Sequence, residues 1–221
     1  QSLRNFSSNL TGSSNIGVGR ASLYTNTSGS NNIAVGNSAL YSNTTASNNT
    51  AVGYQAGYSN TTGVNLTAVG YTAGYASTGN GNSMLGAYAG RLTTSGSSNS
   101  FVGQSAGYNT TTGSSNVALG TDSLLNNTTA SNNTAVGYQA GYNNTTGTNN
   151  TLVGQGAGKA QSTAFSNTFI GDSSGNAVTT GYRNTILGMF NGNQNGLDIR
   201  TASNNIVLAD GSGNPRVYVN S

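Results

Sequence analysis

The sequence predicts an all-β fold: a β-solenoid of about twelve 17-residue coils, assembled as a trimer. Three observations predict it. They are a strict internal period, a composition suited to turns and thin walls, and columns of like residues at fixed places in the period.

The period comes first, because missing a repeat misreads the whole fold. An aliphatic residue followed by Gly recurs at Gly19, Gly36, Gly53, Gly70, Gly86, Gly103, Gly120, Gly137, Gly154, Gly171 and Gly188. The spacing is 17 residues, apart from one step of 16 between Gly70 and Gly86. An altered twelfth unit follows at Asn204 to Ala209. A unit this short, rich in Gly, Asn and Thr, cannot hold two helices and a turn. It suits one coil with one or two short strands and tight turns, each coil stacked on the next. Twelve coils at ~4.8 Å per strand would make a rod roughly 55 Å long.

The columns give each part of the coil a role. The residue before the repeat Gly is always Val, Leu or Ile and reads as the interior ladder. Three residues after the Gly, mostly Ala suits a narrow opposite wall. Four residues before it, Asn stands in ten of eleven units, with Leu66 the exception, as a side-chain ladder at a turn requires. Eight after it, Thr stands in nine of the first ten units. Two beyond that, Gly or Ala in most units lets the chain bend.

Two residues before the Gly lies a second apolar column, which includes Met84, Phe101, Leu152, Phe169 and Ile186. On a strand it points opposite to the Val/Leu/Ile column, so both faces are apolar. Either the coil is wide enough to wrap this column as well, or these side chains pack between chains. A thin coil favours the second, hence the expected trimer around a central axis.

At these columns the chain resembles the β-roll heads of trimeric autotransporter adhesins. It is still more similar to the repetitive fibre proteins of tailed bacteriophages, where units like Asn49 to Tyr58 are frequent. The resemblance covers about Asn15 to Gly188, and the stretch Asn204 to Asn214 is similar to segments preceding an intramolecular chaperone in such fibres. It implies a homotrimeric structural and adhesive segment of a virion tail fibre or an extracellular, cell-surface adhesin. That segment would span distance and contact a host-cell receptor, a glycan. A non-viral extracellular filament, N-glycosylated on its Asn-Thr-Thr turns, is the alternative.

The site candidates follow. Rows of Tyr can stack on sugar rings or bury area at low entropic cost. Tyr54, Tyr71 and Tyr138 directly follow the repeat Gly, and Tyr58, Tyr75 and Tyr142 lie five residues after it. These six are the candidate receptor or glycan contacts, weighed against a ladder that only stabilises stacking. The Asn-Thr-Thr turns at Asn43, Asn60, Asn109 and Asn144 are the candidate glycosylation points among fourteen Asn-x-Ser/Thr sequons.

Composition excludes a great deal. Charged residues are 5% of the 221, and there is no His or Cys, so the zinc, Fe–S, disulfide and thiol chemistries have no raw material. Only Asp122 and Asp172 fall within the repeats, so no enzyme, no cofactor and no calcium-loaded solenoid is expected. The seven basic residues are scattered singly, against nucleic-acid binding, and no apolar stretch is long enough for a membrane helix. Adjacent Thr pairs face opposite ways and form no flat ice-binding array. A chain starting at Gln1 is expected to be a processed product or part of a longer one. Residues 1–14 read as a degenerate coil, 15–188 as the solenoid and 189–221 as a cap or transition.

Overall fold

Each period makes one three-residue strand and then a run of turns that brings the chain back beneath it. A computed structural model describes residues 11–220 in this form. The strands are β1 (Ile16–Val18), β2 (Ile33–Val35), β3 (Thr50–Val52), β4 (Thr67–Val69), β5 (Ser83–Leu85) and β6 (Ser100–Val102). They continue as β7 (Val117–Leu119), β8 (Thr134–Val136), β9 (Thr151–Val153), β10 (Thr168–Ile170) and β11 (Thr185–Leu187). Every neighbouring pair is parallel and in register, as in Phe101 against Ala118 or Thr168 against Thr185. Among the described residues there is no helix. The chain is thus a parallel β-solenoid of about eleven turns.

The predicted ladders are present and account for the repeat's polar residues. Asn133 shows the pattern: its backbone N–H and its Nδ2 both donate to Asn116 Oδ1, at 3.0 and 3.2 Å. The same Nδ2 also donates to the Gly147 carbonyl at 2.9 Å, pinning the far turn of its own coil. The Thr column does the same work at another corner: Thr111 Oγ1 donates to the Thr128 carbonyl at 3.1 Å, and Thr128 Oγ1 to the Thr145 carbonyl at 3.1 Å. The repeat Gly is required for closeness as well as for conformation. At Gly103, φ is +131°, and a Cβ there would lie 2.7 Å from the Gly120 carbonyl of the next coil.

The interior is where the structure departs from expectation. The column two residues before the Gly lies inside: Met84, Phe101, Leu152, Phe169 and Ile186 have no exposed surface in a single chain. These five therefore do not pack between chains, since they have no surface to offer a partner. The Val/Leu/Ile column faces outward instead. Eight of its members, Val18, Val69, Leu85, Val102, Leu119, Ile170, Leu187 and Leu208, are 37–46% exposed.

The physical reason is a volume match inside each coil. Large residues of the inner column sit opposite a Gly four residues after the repeat Gly: Met84 with Gly90, Phe101 with Gly107, Leu152 with Gly158 and Phe169 with Gly175. A Cβ at Gly107 would meet the Phe101 ring at 2.5–2.6 Å. Small residues sit opposite Leu: Gly17 with Leu23, Ala34 with Leu40 and Ala118 with Leu124. Where both are small, neighbours fill the gap. Leu40 and Leu66 close on Gly57, which explains the one break in the Asn ladder: Leu66 is core filling.

Residues 11–14 of the expected N-terminal coil stack on the first turn, with the Thr11 N–H donating to the Thr27 carbonyl at 2.8 Å. Residues 1–10 lie outside the described residues. At the other end the repeat does not stop at 188. The Gly175 N–H donates to the Phe190 carbonyl and the Thr179 N–H to the Arg200 carbonyl, so the next coil carries on. Its hydrogen bonds to the coil before span 21 residues in place of 17. The extra length is a hairpin of β12 (Asn193–Gln194) and β13 (Leu197–Asp198). Strand β14 (Ile206–Ala209) then pairs parallel with β11, and β15 (Pro215–Val219) runs antiparallel over the open edge of β14. Tyr218 Oη donates to Asn205 Oδ1 at 2.8 Å and ends the Asn ladder.

Candidate functional site

Nine of the twelve Tyr lie on the wall after the repeat Gly, at two corners, while Phe165 and Tyr182 stack on each other at another corner. At the fifth position Tyr24, Tyr41, Tyr58 and Tyr75 stack face to face, with centroids 5.0–5.1 Å apart and planes within 2–10°. That spacing follows from coil stacking, and each such pair adds ~0.5–1.5 kcal/mol beyond burial. The column continues through a cation: the Arg91 guanidinium lies 5.6 Å from the Tyr75 centroid and 5.7 Å from that of Tyr108. Arg91 Nη1 also donates to Tyr108 Oη at 2.8 Å. Lys159 covers Tyr142 in the same way, at 5.8 Å.

This arrangement divides the six Tyr candidates. Tyr58 is sandwiched between Tyr41 and Tyr75, and Tyr75 between Tyr58 and Arg91, so neither has a free ring face for a sugar. Tyr142 is half-buried with Lys159 over its ring. Tyr54, Tyr71 and Tyr138 are 43–49% exposed. Tyr54 and Tyr71 stack at 5.2 Å, and Tyr138 stands on its own two coils beyond Gln104.

Beside the 16-residue step the ladder changes character. The first position after Gly86 is Ala87, and the ring moves one residue on to Tyr88, whose φ is +63°. Tyr88 meets Tyr71 edge-on at 76° and tilts 53° to Tyr108. Rings that would otherwise stack are splayed, and between them opens a cavity of about 510 Å³. Its walls are Tyr54, Tyr71, Tyr88 and Tyr108 with Arg91, Gln55, Thr72, Gln104 and Ser105. Arg91 Nε and Thr72 Oγ1 are shielded from solvent there and hold no hydrogen bond. Tyr88 and Arg91 are missed by column counting, because each breaks its column. The legible signal is that both breaks fall in one coil.

The Asn-Thr-Thr turns are corrected by burial. Asn43, Asn60 and Asn144 have no exposed surface, and each Nδ2 donates to the carbonyl three residues on, at 3.0, 2.8 and 2.8 Å. Glycan transfer needs that nitrogen accessible, so these three are structural turn-closers. Asn109 is half-buried, its Nδ2 donating to Asn126 Oδ1 at 3.0 Å.

Among the described residues no three His, Cys, Asp or Glu gather, and no helix is long and apolar enough to cross a membrane. Among the described residues the ion pairs lie towards the C-terminal end: Arg200–Asp198 at 2.7 Å and Arg216–Asp210 at 2.6 Å. Hydrogen bonds from Arg200 hold Asp198 below its ordinary pKa, and those from Asn214, then Arg216, hold Asp210 well below it. No protein-family model, curated protein or solved structure matches the chain, so what it is rests on its own geometry: a repetitive parallel β-solenoid with one aliphatic and one aromatic wall.

Proposed function

We propose that the chain is a structural and adhesive fibre segment, a homotrimer of a phage tail fibre or related surface adhesin that spans distance and contacts a cell-surface glycan. The observation that carries this reading is the aliphatic stripe. From Val18 to Leu208 it runs the length of the rod, flanked by Ile16, Ile33, Val117 and Ile206 and otherwise by Thr and Ser. A solitary protein rarely leaves so long an apolar strip in water.

A second and a third copy of this chain are the occupants that fit. Any surface lying along the stripe must repeat its side chains at one coil spacing, ~4.8 Å, over the whole length, and another copy does so. Twelve half-exposed aliphatic side chains with their neighbours offer on the order of 800 Å² per chain, the per-partner share of a standard interface. The charge-poor stripe sets no repulsion against a parallel copy. The trimer axis thus moves from the inner column to the outer one.

Light scattering of the purified chain tests the assembly. The expected mass is three times that of one chain, and Leu119→Lys with Val102→Lys, which place charge on the stripe without touching the core, should give a monomer that keeps its β circular dichroism. A monodisperse wild-type monomer would overturn the reading.

A further inference from the structure

We infer that the cavity at the splayed rings, bounded by Tyr71, Tyr88, Arg91, Gln104 and Tyr108, is a binding site for an acidic sugar, a pyranose bearing a carboxylate. This rests on the glycan-contact reading above and narrows it to one place and one ligand class.

Four observations converge on it. The first is space: about 510 Å³ lies within the ~300–1,000 Å³ that small ligands occupy, and the ladder from Tyr24 to Tyr75 is closed by face-to-face stacking. The second is ring presentation. Tyr71, Tyr88 and Tyr108 face one volume at three inclinations, and a pyranose can lie against a ring while its hydroxyls reach outward.

The third is charge. In a chain with seven basic residues, Arg91 is a half-buried cation in a cavity wall with no carboxylate partner, whereas both ion pairs among the described residues lie beyond residue 197. Its guanidinium is clamped between Tyr75 and Tyr108 and held by Tyr108 Oη, so its orientation is set before a ligand arrives. A planar fork fixed in this way suits a carboxylate, which it can engage with two parallel hydrogen bonds. The fourth is neutral polarity. The Gln55 and Gln104 amides and the Ser105 hydroxyl line the same space and supply donors and acceptors for ring hydroxyls.

The site is also where the sequence leaves its own pattern. The two preceding coils place Tyr at both the first and fifth positions and the following coil keeps Tyr108 at the fifth, whereas this coil places Ala87 and Arg91 there and Tyr88 at the second. Stacking alone would be served by the repeated residues. The departures instead remove a ring, tilt a ring and add a cation at one point.

The test measures binding of three probes to the purified chain, by calorimetry and saturation-transfer NMR: 3′-sialyllactose, a hyaluronan tetrasaccharide and neutral maltotetraose. The variants are Arg91→Gln, Arg91→Lys and Tyr71→Ala, with Tyr142→Ala as a control outside the cavity. At least one acidic probe should bind while maltotetraose binds tenfold more weakly or not at all. Arg91→Gln and Tyr71→Ala should each weaken the acidic probe tenfold or more, Arg91→Lys should recover part of the loss, and Tyr142→Ala should change nothing. Unaltered melting curves in the variants would separate lost binding from lost fold. Saccharide binding that ignores Arg91 but falls with Tyr142→Ala would overturn this site and leave the glycan reading standing. No binding of any probe would overturn the acidic-sugar site, and the glycan reading would then be judged separately by adsorption of the labelled fibre to glycan-stripped and untreated cells.

Discussion

The periodic body and the C-terminal segment solve the same problem by opposite means. From residue 15 to 188, polar side chains are satisfied by copies of themselves: Asn116 serves Asn133, and Asn133 serves Asn150. No ion pair occurs there among the described residues. After residue 188 the copying is interrupted by the β12–β13 hairpin, and charges appear in pairs, Asp198 with Arg200 and Asp210 with Arg216. An amide carries both donor and acceptor, so a stack of amides satisfies itself, whereas a stack of like charges repels at every step. Where repetition ends, a charge can find an opposite partner locally, and the last open strand needs a cover such as β15.

The largest effect that would break this contrast lies in the core. Phe101→Ala should cost about 3–5 kcal/mol, because the ring has no exposed surface and Gly107 leaves its space unfilled. Gly107→Leu should also destabilise, since its Cβ falls on the Phe101 ring. The double variant recreates the Ala118–Leu124 arrangement of the next coil, and urea denaturation should show it recovering on the order of 2 kcal/mol relative to additivity. Strict additivity would show that the two columns do not exchange volume.

Next comes the amide ladder. Asn116→Ala removes the acceptor of the Asn133 N–H and a donor to the Ala130 carbonyl, all buried, for an expected loss of about 1–3 kcal/mol. Hydrogen exchange should rise at Asn133 first. A loss confined to the surface scale of a few tenths would mean that water replaces the ladder.

The smallest effect separates the two regions by pH. Asp198 and Asp210 are held below their ordinary values in the folded chain, so their contribution is present above the unfolded value and is lost as pH falls through the folded one. Asp198 is exposed and Asp210 half-buried at the surface, and the change should be local. An NMR titration downward from pH 5 should move the signals of Arg200, Asn214 and Arg216 only below about pH 4, the usual carboxylate range, and leave the Asn ladder still. Ladder signals that shift together with them would erase the distinction.

Much of the fold was legible in the chain itself. The period announced the stacked coils and their in-phase register, because a chain that repeats every 17 residues can satisfy every coil in the same way only by stacking in phase; that each coil holds one strand and not two came from the structure. The Asn and Thr columns announced their ladders, since a polar residue kept at one corner needs a partner at that corner. The aromatic column likewise announced ring stacking at the coil spacing. The site was less legible, because Tyr88 and Arg91 matter where they depart from their columns.

What the tertiary structure alone decided is which apolar face lies inside. Alternation along a three-residue strand is symmetric, and Ala34 beside Val35 does not say which side the turns will wrap. The uniform size of the Val/Leu/Ile column resembles a core, yet a column open to solvent or to another chain can equally stay uniform. The inner column varies from Gly17 to Phe101 because each coil closes over its own contents, with Leu or Gly across from it making up the volume. That compensation is a property of the closed coil, where two positions six residues apart share one limited space. Enclosure thus set the inside, and repetition set everything that stacks upon it.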